Sequence, residues 1–203
     1  GGVLIFAHDN MRVRMLEERS RFPRGNGGFF PQAPVEARPF VTYQDRITFH
    51  FNGEEVRVFL APPAHTDGDT FVHFPESDVL HLGDVFRTTS YPIIDVYNGG
   101  TLAGTIEALD LAISLAGPNT KVIPGHGVEL VGRRELVEFR DMIVDVRDRV
   151  RDLIAEGNTL DEGRAAKPTA AYDEQWGNVP SWSANDFVPI VYHQLGGGSL
   201  YKQ

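Results

Sequence analysis

The chain has 203 residues, 41% of them hydrophobic and 23% charged, which suits one globular domain or most of one. Its net charge of −9 excludes a general nucleic-acid surface, which would need a basic patch. Cysteine is absent, which excludes a disulfide framework and a thiolate metal ligand, and no apolar run approaches the ~18–20 residues that cross a bilayer.

Val3 to Ala7 is a short apolar run and reads as a strand. His8-Asp9-Asn10 then offers a cap for a helix from Met11 to Leu16. His8 reads as a polar residue at a strand end rather than a ligand. Phe22 to Pro39 holds Pro23, Gly25, Gly27, Gly28, Pro31, Pro34 and Pro39 around Phe29 and Phe30, the composition of a loop. Two uses stay open for it: a lid or substrate wall, or a surface connector whose aromatics plug the core.

Arg46 to Phe51 alternates with period two. Asn52-Gly53 supplies a hairpin turn, and Glu54 to Leu60 is the returning strand. His50 falls on the polar phase. Pro62-Pro63-Ala64 ends the hairpin and leads into His65-Thr66-Asp67-Gly68-Asp69-Thr70. Phe71 to Phe74 and Val79 to Leu82 read as two more strands, with His73 and His81 inside them as packed or surface imidazoles. Gly83-Asp84 follows.

Ser90 to Gly100 is a second loop. Thr101 caps a helix over Leu102 to Ala116, stopped by Gly117-Pro118-Asn119. Lys121 to Ile123 is a strand that ends in Pro124-Gly125-His126-Gly127. Val131 to Glu156 is a long helix. Its residues Leu136, Phe139, Ile143, Val146, Val150 and Leu153 make one apolar stripe, and Arg, Asp and Glu fill a solvated face. Asn158 or Thr159 caps a short helix over Leu160 to Ala166. The pattern loosens from Pro168 to Ser183, and Ala184 to Leu195 reads as a last amphipathic helix despite Pro189. This places one domain over residues 1–195 and a frayed tail over 196–203.

Three of these residues stand apart. His65 lies in a turn, Asp84 lies just past a short apolar run, and His126 sits between two glycines just past another. Loops at strand ends bring such side chains to one rim of a sheet. Imidazole and carboxylate presented there, with glycines letting backbone crowd in, suit a zinc or iron site.

The motifs "HTDGDT", "VLHLGDVF", "YPIID", "NGG" and "KVIPGHG", in this order and spacing, resemble the metallo-β-lactamase superfamily of metallo-hydrolases. The resemblance covers most of Val3 to Leu195. It implies an α/β (α+β) fold, a four-layer αββα sandwich with metals at one rim. Its signature, His-x-His-x-Asp-His, is absent from the seven histidines, and a segment like "VLIFAHDNMRVRM" follows it in the family. The chain is therefore expected to be the later part of a longer protein, with unpaired strand edges and apolar surface where the N-terminal strands would pack.

By the same resemblance His65 is a ligand of a first metal, Asp84 a carboxylate bridging two metals, and His126 a ligand of the second. The remaining ligands and a general-base Asp would come from the missing signature. Zinc is the metal implied, two ions per intact site, with iron or manganese equally suited to these ligands. Asp69 is a candidate to support a ligand residue through hydrogen bonds without touching the metal. Tyr91 and Asp95 lie in a loop near the site mouth, there to touch substrate or to brace the loop. The missing cysteine excludes the lactamase subclass that uses a Cys ligand, and the acidic charge weighs against the nuclease branches.

The implied activity is hydrolysis of an ester, thioester, lactone or β-lactam/amide bond by a metal-bound hydroxide, in a protein that carries the upstream signature. The alternative is a truncated or degenerate module with a binding or structural role. The implied partner is a small-molecule substrate, with no nucleic acid and no membrane. The state of assembly and the compartment, cytoplasmic or periplasmic, stay open.

Overall fold

The computed structural model describes residues 3–20, 29–127 and 129–198. Its first elements are β1 (Phe6–His8) and α1 (Asp9–Met15). The strand starts later than the apolar run predicts, leaving Val3 and Leu4 exposed. His8 itself caps α1: its Nδ1 accepts from the Asn10 N–H at 3.2 Å. β2 (Arg19–Ser20) pairs antiparallel with β3 (Phe29–Phe30), a contact the loop reading did not anticipate. Residues 21–28 and the Phe29 and Phe30 side chains lie outside the described residues, and with them the choice between lid and connector. β4 (Val41–Tyr43) runs parallel to β1.

The main sheet begins with the hairpin of β5 (Arg46–Phe51) and β6 (Glu54–Leu60). Asn52 and Gly53 both have left-handed φ, 52° and 83°, as a two-residue turn that keeps the strand twist requires. β7 (Thr70–Phe74), β8 (Val79–His81), α2 (Leu102–Leu115) and β9 (Lys121–Ile123) follow. The strand order is β5-β6-β7-β8-β9. All pairs are antiparallel except β8–β9, which is parallel and so needs the crossover that α2 provides.

The pleat gives this sheet two different faces. On one, Phe71, Leu80 and Val122 are fully buried and join a single core with residues of the helices, among them Leu109, Phe139, Ile143 and Phe187. On the other, Ile47, Phe49, Val56, Val58 and Val72 are only half-buried, and Phe51 is exposed. The β1–β4 pair lies against part of that face, with Phe6 edge-on to Phe49 at 4.8 Å. A second sheet of comparable size, which a four-layer sandwich calls for, is not present among the described residues.

α3 (Arg133–Ala155) buries the predicted stripe from Leu136 to Val150, each such side chain contributing about 1.5–3 kcal/mol. Its outer face carries the ion pairs Arg149–Asp145 and Arg151–Asp148, exposed contacts worth about 0–1 kcal/mol each. α4 (Leu160–Ala165) starts with a capping box between Thr159 and Glu162. α5 (Asp173–Trp176) is a single turn inside the segment that reads as irregular.

α6 (Ala184–Gln194) tolerates Pro189 for a visible reason. Proline has no N–H to give the carbonyl four residues back, that of Asn185. The Arg164 guanidinium donates to it instead, at 3.0 Å. Gly196, with φ 85°, ends the helix in the left-handed region. Of the tail, residues 199–203 lie outside the described residues. Among the described residues no helix is long and apolar enough to cross a membrane.

Candidate metal centre

The loop between β6 and β7 carries His65, and its shape is set by one carboxylate. Asp69 is half-buried, and its Oδ2 accepts from the backbone N–H groups of His65, at 2.7 Å, and Thr66, at 3.1 Å. The Thr66 hydroxyl donates to its other oxygen at 2.7 Å. Burial pushes the Asp69 carboxyl above its ordinary pKa, and the bonds from Thr66 and His65 offset part of that. Asp69 thus holds the backbone of the loop, and the His65 charge also acts on this carboxylate.

Asp67, two residues on from His65, forms a bidentate ion pair with Arg14 of α1. Burial raises the Asp67 pKa, but the bonds and charge of Arg14 and the bond from Asn10 outweigh it and hold the carboxyl below its usual range. This pair ties α1 to the loop. No short-range pattern announces it, because the partners lie 53 residues apart.

The "NGG" stretch closes the other side. The His65 carbonyl accepts from the Asp95 N–H at 2.8 Å, and Asp67 N–H donates to Asn98 O at 3.0 Å. A β-carbon on Gly100 would overlap the His65 carbonyl, and one on Gly99 would stand 2.5 Å from the Asp67 carboxylate. Only glycine admits this approach. Asp95 is buried at the end of the same loop, where its carboxylate accepts from the N–H groups of Tyr97 and Asn98. It braces that loop.

Tyr91 is fully buried and stacked on Phe187, with ring centroids 5.3 Å apart. Its hydroxyl donates to Asp173 at 2.7 Å and faces the Thr169 carbonyl at 3.3 Å. Burial, and then Asp173, pushes the phenol well above its usual pKa. Of the two uses open for Tyr91, bracing is the one that a side chain with no exposed surface fits.

Asp84 sits in a single turn just past β8. The Gly83 N–H in that turn donates to Nδ1 of His81 at 3.1 Å. His81 therefore shapes the turn, although its mid-strand position reads only as packing. Gly125 brings the His126 loop alongside: its N–H donates to the carbonyls of Gly83, at 2.8 Å, and Phe86, at 3.1 Å.

These loops bring the three residues together. Nε2 of His126 lies 3.1 Å from Oδ1 of Asp84, and Nε2 of His65 lies 3.6 Å from Oδ2. The His65 ring is oriented by its Nδ1, 2.7 Å from the Ile93 carbonyl. A carbonyl only accepts, so Nδ1 carries a proton, and in the neutral tautomer Nε2 presents a lone pair. That nitrogen faces the carboxylate of Asp84, and either a proton on it or a cation shared with the carboxylate satisfies the pair. The donor set, two imidazole nitrogens and a carboxylate, suits a divalent cation such as zinc, iron or manganese. Among the described residues no group of three or more His, Asp or Glu closes into a ready cation cage, so the three meet pairwise through Asp84.

His126 is about half exposed, at 54%, against 22% for His65, so the centre opens to solvent on the His126 side. A cavity of about 790 Å³ elsewhere, between the end of α2 and the start of α3, includes none of the three.

Solved structures with the same arrangement of elements decide the fold. A stereoselective inverting sec-alkylsulfatase, Pisa1 from Pseudomonas sp., matches with a TM-score of 0.60 at 16% identity, covering 98% of this chain and 37% of that one. A metallo-β-lactamase family protein from Thermus thermophilus matches with a TM-score of 0.54 at 17% identity, over 75% and 56% of the two chains. The B3 metallo-β-lactamase BLEG-1 matches with a TM-score of 0.52 at 19% identity, over 70% and 65%.

The chain has the metallo-β-lactamase fold. It spans between about a third and two thirds of the length of these structures. At such identities the likeness is one of fold. No family model and no curated protein matches the sequence. In this metallo-β-lactamase fold the loops after β6, β8 and β9 carry His65, Asp84 and His126 to one place.

Proposed function

We propose that this chain is the part of a metal-dependent hydrolase that holds His65, Asp84 and His126 as ligands. The observation that carries the reading is the pair of imidazole nitrogens set against the two oxygens of one carboxylate. Asp84 has one oxygen for each histidine, as a carboxylate shared between two cations needs. His65 is held in the ligating tautomer by the Ile93 carbonyl, the way ligand histidines are oriented through their other nitrogen. Asp69 fixes the backbone beneath it. When bound there, a divalent metal such as zinc supplies a Lewis acid and lowers the pKa of a coordinated water to about 7.

The substrate class proposed is an ester, thioester, lactone or β-lactam/amide. A two-metal centre needs more ligands than these three. The reading therefore requires a His-x-His-x-Asp-His segment, and a general-base Asp within it, from residues upstream of Gly1.

The test is a hydrolysis panel of aryl ester, thioester, lactone, β-lactam and sec-alkyl sulfate, run on zinc-loaded protein that includes the residues preceding Gly1 in its gene. Turnover that depends on His65, Asp84 and His126 supports the reading; no turnover on any member overturns it. A second reading, a non-catalytic binding module of the same fold, is favoured by one observation: no ready cation cage forms among the described residues. It predicts that the same protein takes up no zinc.

A further inference from the structure

Three residues past Asp84, Arg87 is an anomaly. It is only 8% exposed, and among the described residues its Nε has no hydrogen-bond partner. The carboxylate of Asp84 is turned to His65 and His126 instead of to this guanidinium. Burial lowers the basicity of Arg87, and the Asp84 charge restores part of it. A buried donor left without a partner is costly, so the Nε of Arg87 is a place for an acceptor to bind.

The place for that acceptor is present. Arg87 lines a cavity of about 200 Å³ together with Thr88, Val131, Phe139, Gln175 and Trp176. Phe139 and Trp176 are themselves buried, with ring centroids 6.1 Å apart, and form an apolar wall. Three glutamates also border the cavity. Glu135 is committed to the Gly132 N–H and to Arg134, Glu138 lies 3.8 Å from Arg134, and Glu129 is solvent-exposed. Among the described residues none of them forms an ion pair with Arg87, and Asp84 offsets its charge only in part. A planar fork of N–H donors matches a carboxylate best.

We propose that this cavity is a binding site for a small carboxylate carrying an apolar, ring-sized body, with Arg87 taking the carboxylate and Phe139 and Trp176 taking the body. The cavity includes none of His65, Asp84 and His126, although Arg87 adjoins the centre through a backbone bridge to His126, and the proposal stands whether or not that centre is catalytic.

The experiment is calorimetric titration of chelator-treated protein with benzoate, with its neutral analogue benzyl alcohol, and with inorganic sulfate. Chelation keeps the ligands away from any metal at Asp84. Benzoate should bind roughly tenfold or more tightly than benzyl alcohol, the factor expected of a charged hydrogen bond, and Arg87→Gln should erase that preference. Gln175→Trp, at an exposed position on the cavity rim, should weaken benzoate in a protein whose interior is untouched, which keeps the test decisive if Arg87→Gln fails to fold. No benzoate binding by the folded protein, an undiminished preference in Arg87→Gln, or binding of sulfate but not benzoate would each overturn the proposal.

Discussion

A β-carbon on Gly125 would stand 2.5 Å from Oδ1 of Asp84 and would overlap the backbone of Gly83. The residue before His126 therefore has to be glycine for His126 and Asp84 to meet. Gly125→Ala should force the two loops apart, with a loss of about 1–3 kcal/mol of stability from overpacking and a weaker hold on zinc. Gly68→Ala in the His65 loop is the control, since a β-carbon there meets nothing closer than 3.9 Å. Thermal unfolding and zinc titration of both variants check this. Equal effects of the two would contradict it.

Tyr91→Phe separates a brace from a substrate contact. It removes the bond to Asp173 and should cost about 1–2 kcal/mol. Zinc affinity, and KM and kcat where turnover is found, should not change. A kinetic change without a drop in melting temperature would return Tyr91 to the site.

The start of α3 should respond to acid through Glu135. The Gly132 N–H, and then Arg134, hold this carboxyl below its usual pKa. A depressed folded pKa gives stability that is full above the unfolded value of about 4.3 and is lost as pH falls through the folded one. Glu135→Gln keeps an acceptor at the cap but cannot titrate. Urea unfolding should show wild type ahead by about 0.5–1 kcal/mol at pH 6 and level with the variant at pH 3. A gap that does not close would exclude this carboxylate as the acid-sensitive cap.

Arg164 and Pro189 should be coupled, because the guanidinium serves the carbonyl that the proline leaves open. Arg164→Ala should cost about 0.5–1 kcal/mol in wild type and less in a Pro189→Ala background, where the restored N–H can serve Asn185. A double-mutant cycle measures this directly.

What the sequence makes legible here is what local rules govern. Asn52-Gly53 announces its hairpin because few residues accept two left-handed positions in a row. Thr101 and Thr159 mark helix starts because their hydroxyls cap nearby N–H groups. Elements of two to four residues, such as β2, β3 and α5, have too little periodicity to read. The glycines of "NGG" and "PGHG" are visible as motifs, but the backbone each one lies against is not. The pairing of Arg14 with Asp67, the service of His81 to the Asp84 turn and the burial of Tyr91 are all tertiary. Each depends on where a distant segment docks, and neither composition nor spacing carries that information.

His65, Asp84 and His126 are central here as proposed metal ligands that meet through the two oxygens of Asp84. The most direct measurement is zinc titration of the 203-residue protein against His65→Ala, Asp84→Asn and His126→Ala, with folding checked in each. The prediction is measurable zinc uptake in wild type, short of the affinity of a complete centre, weakened roughly tenfold or more by each substitution. Zinc uptake that is absent in wild type, or unchanged in all three folded variants, would contradict it.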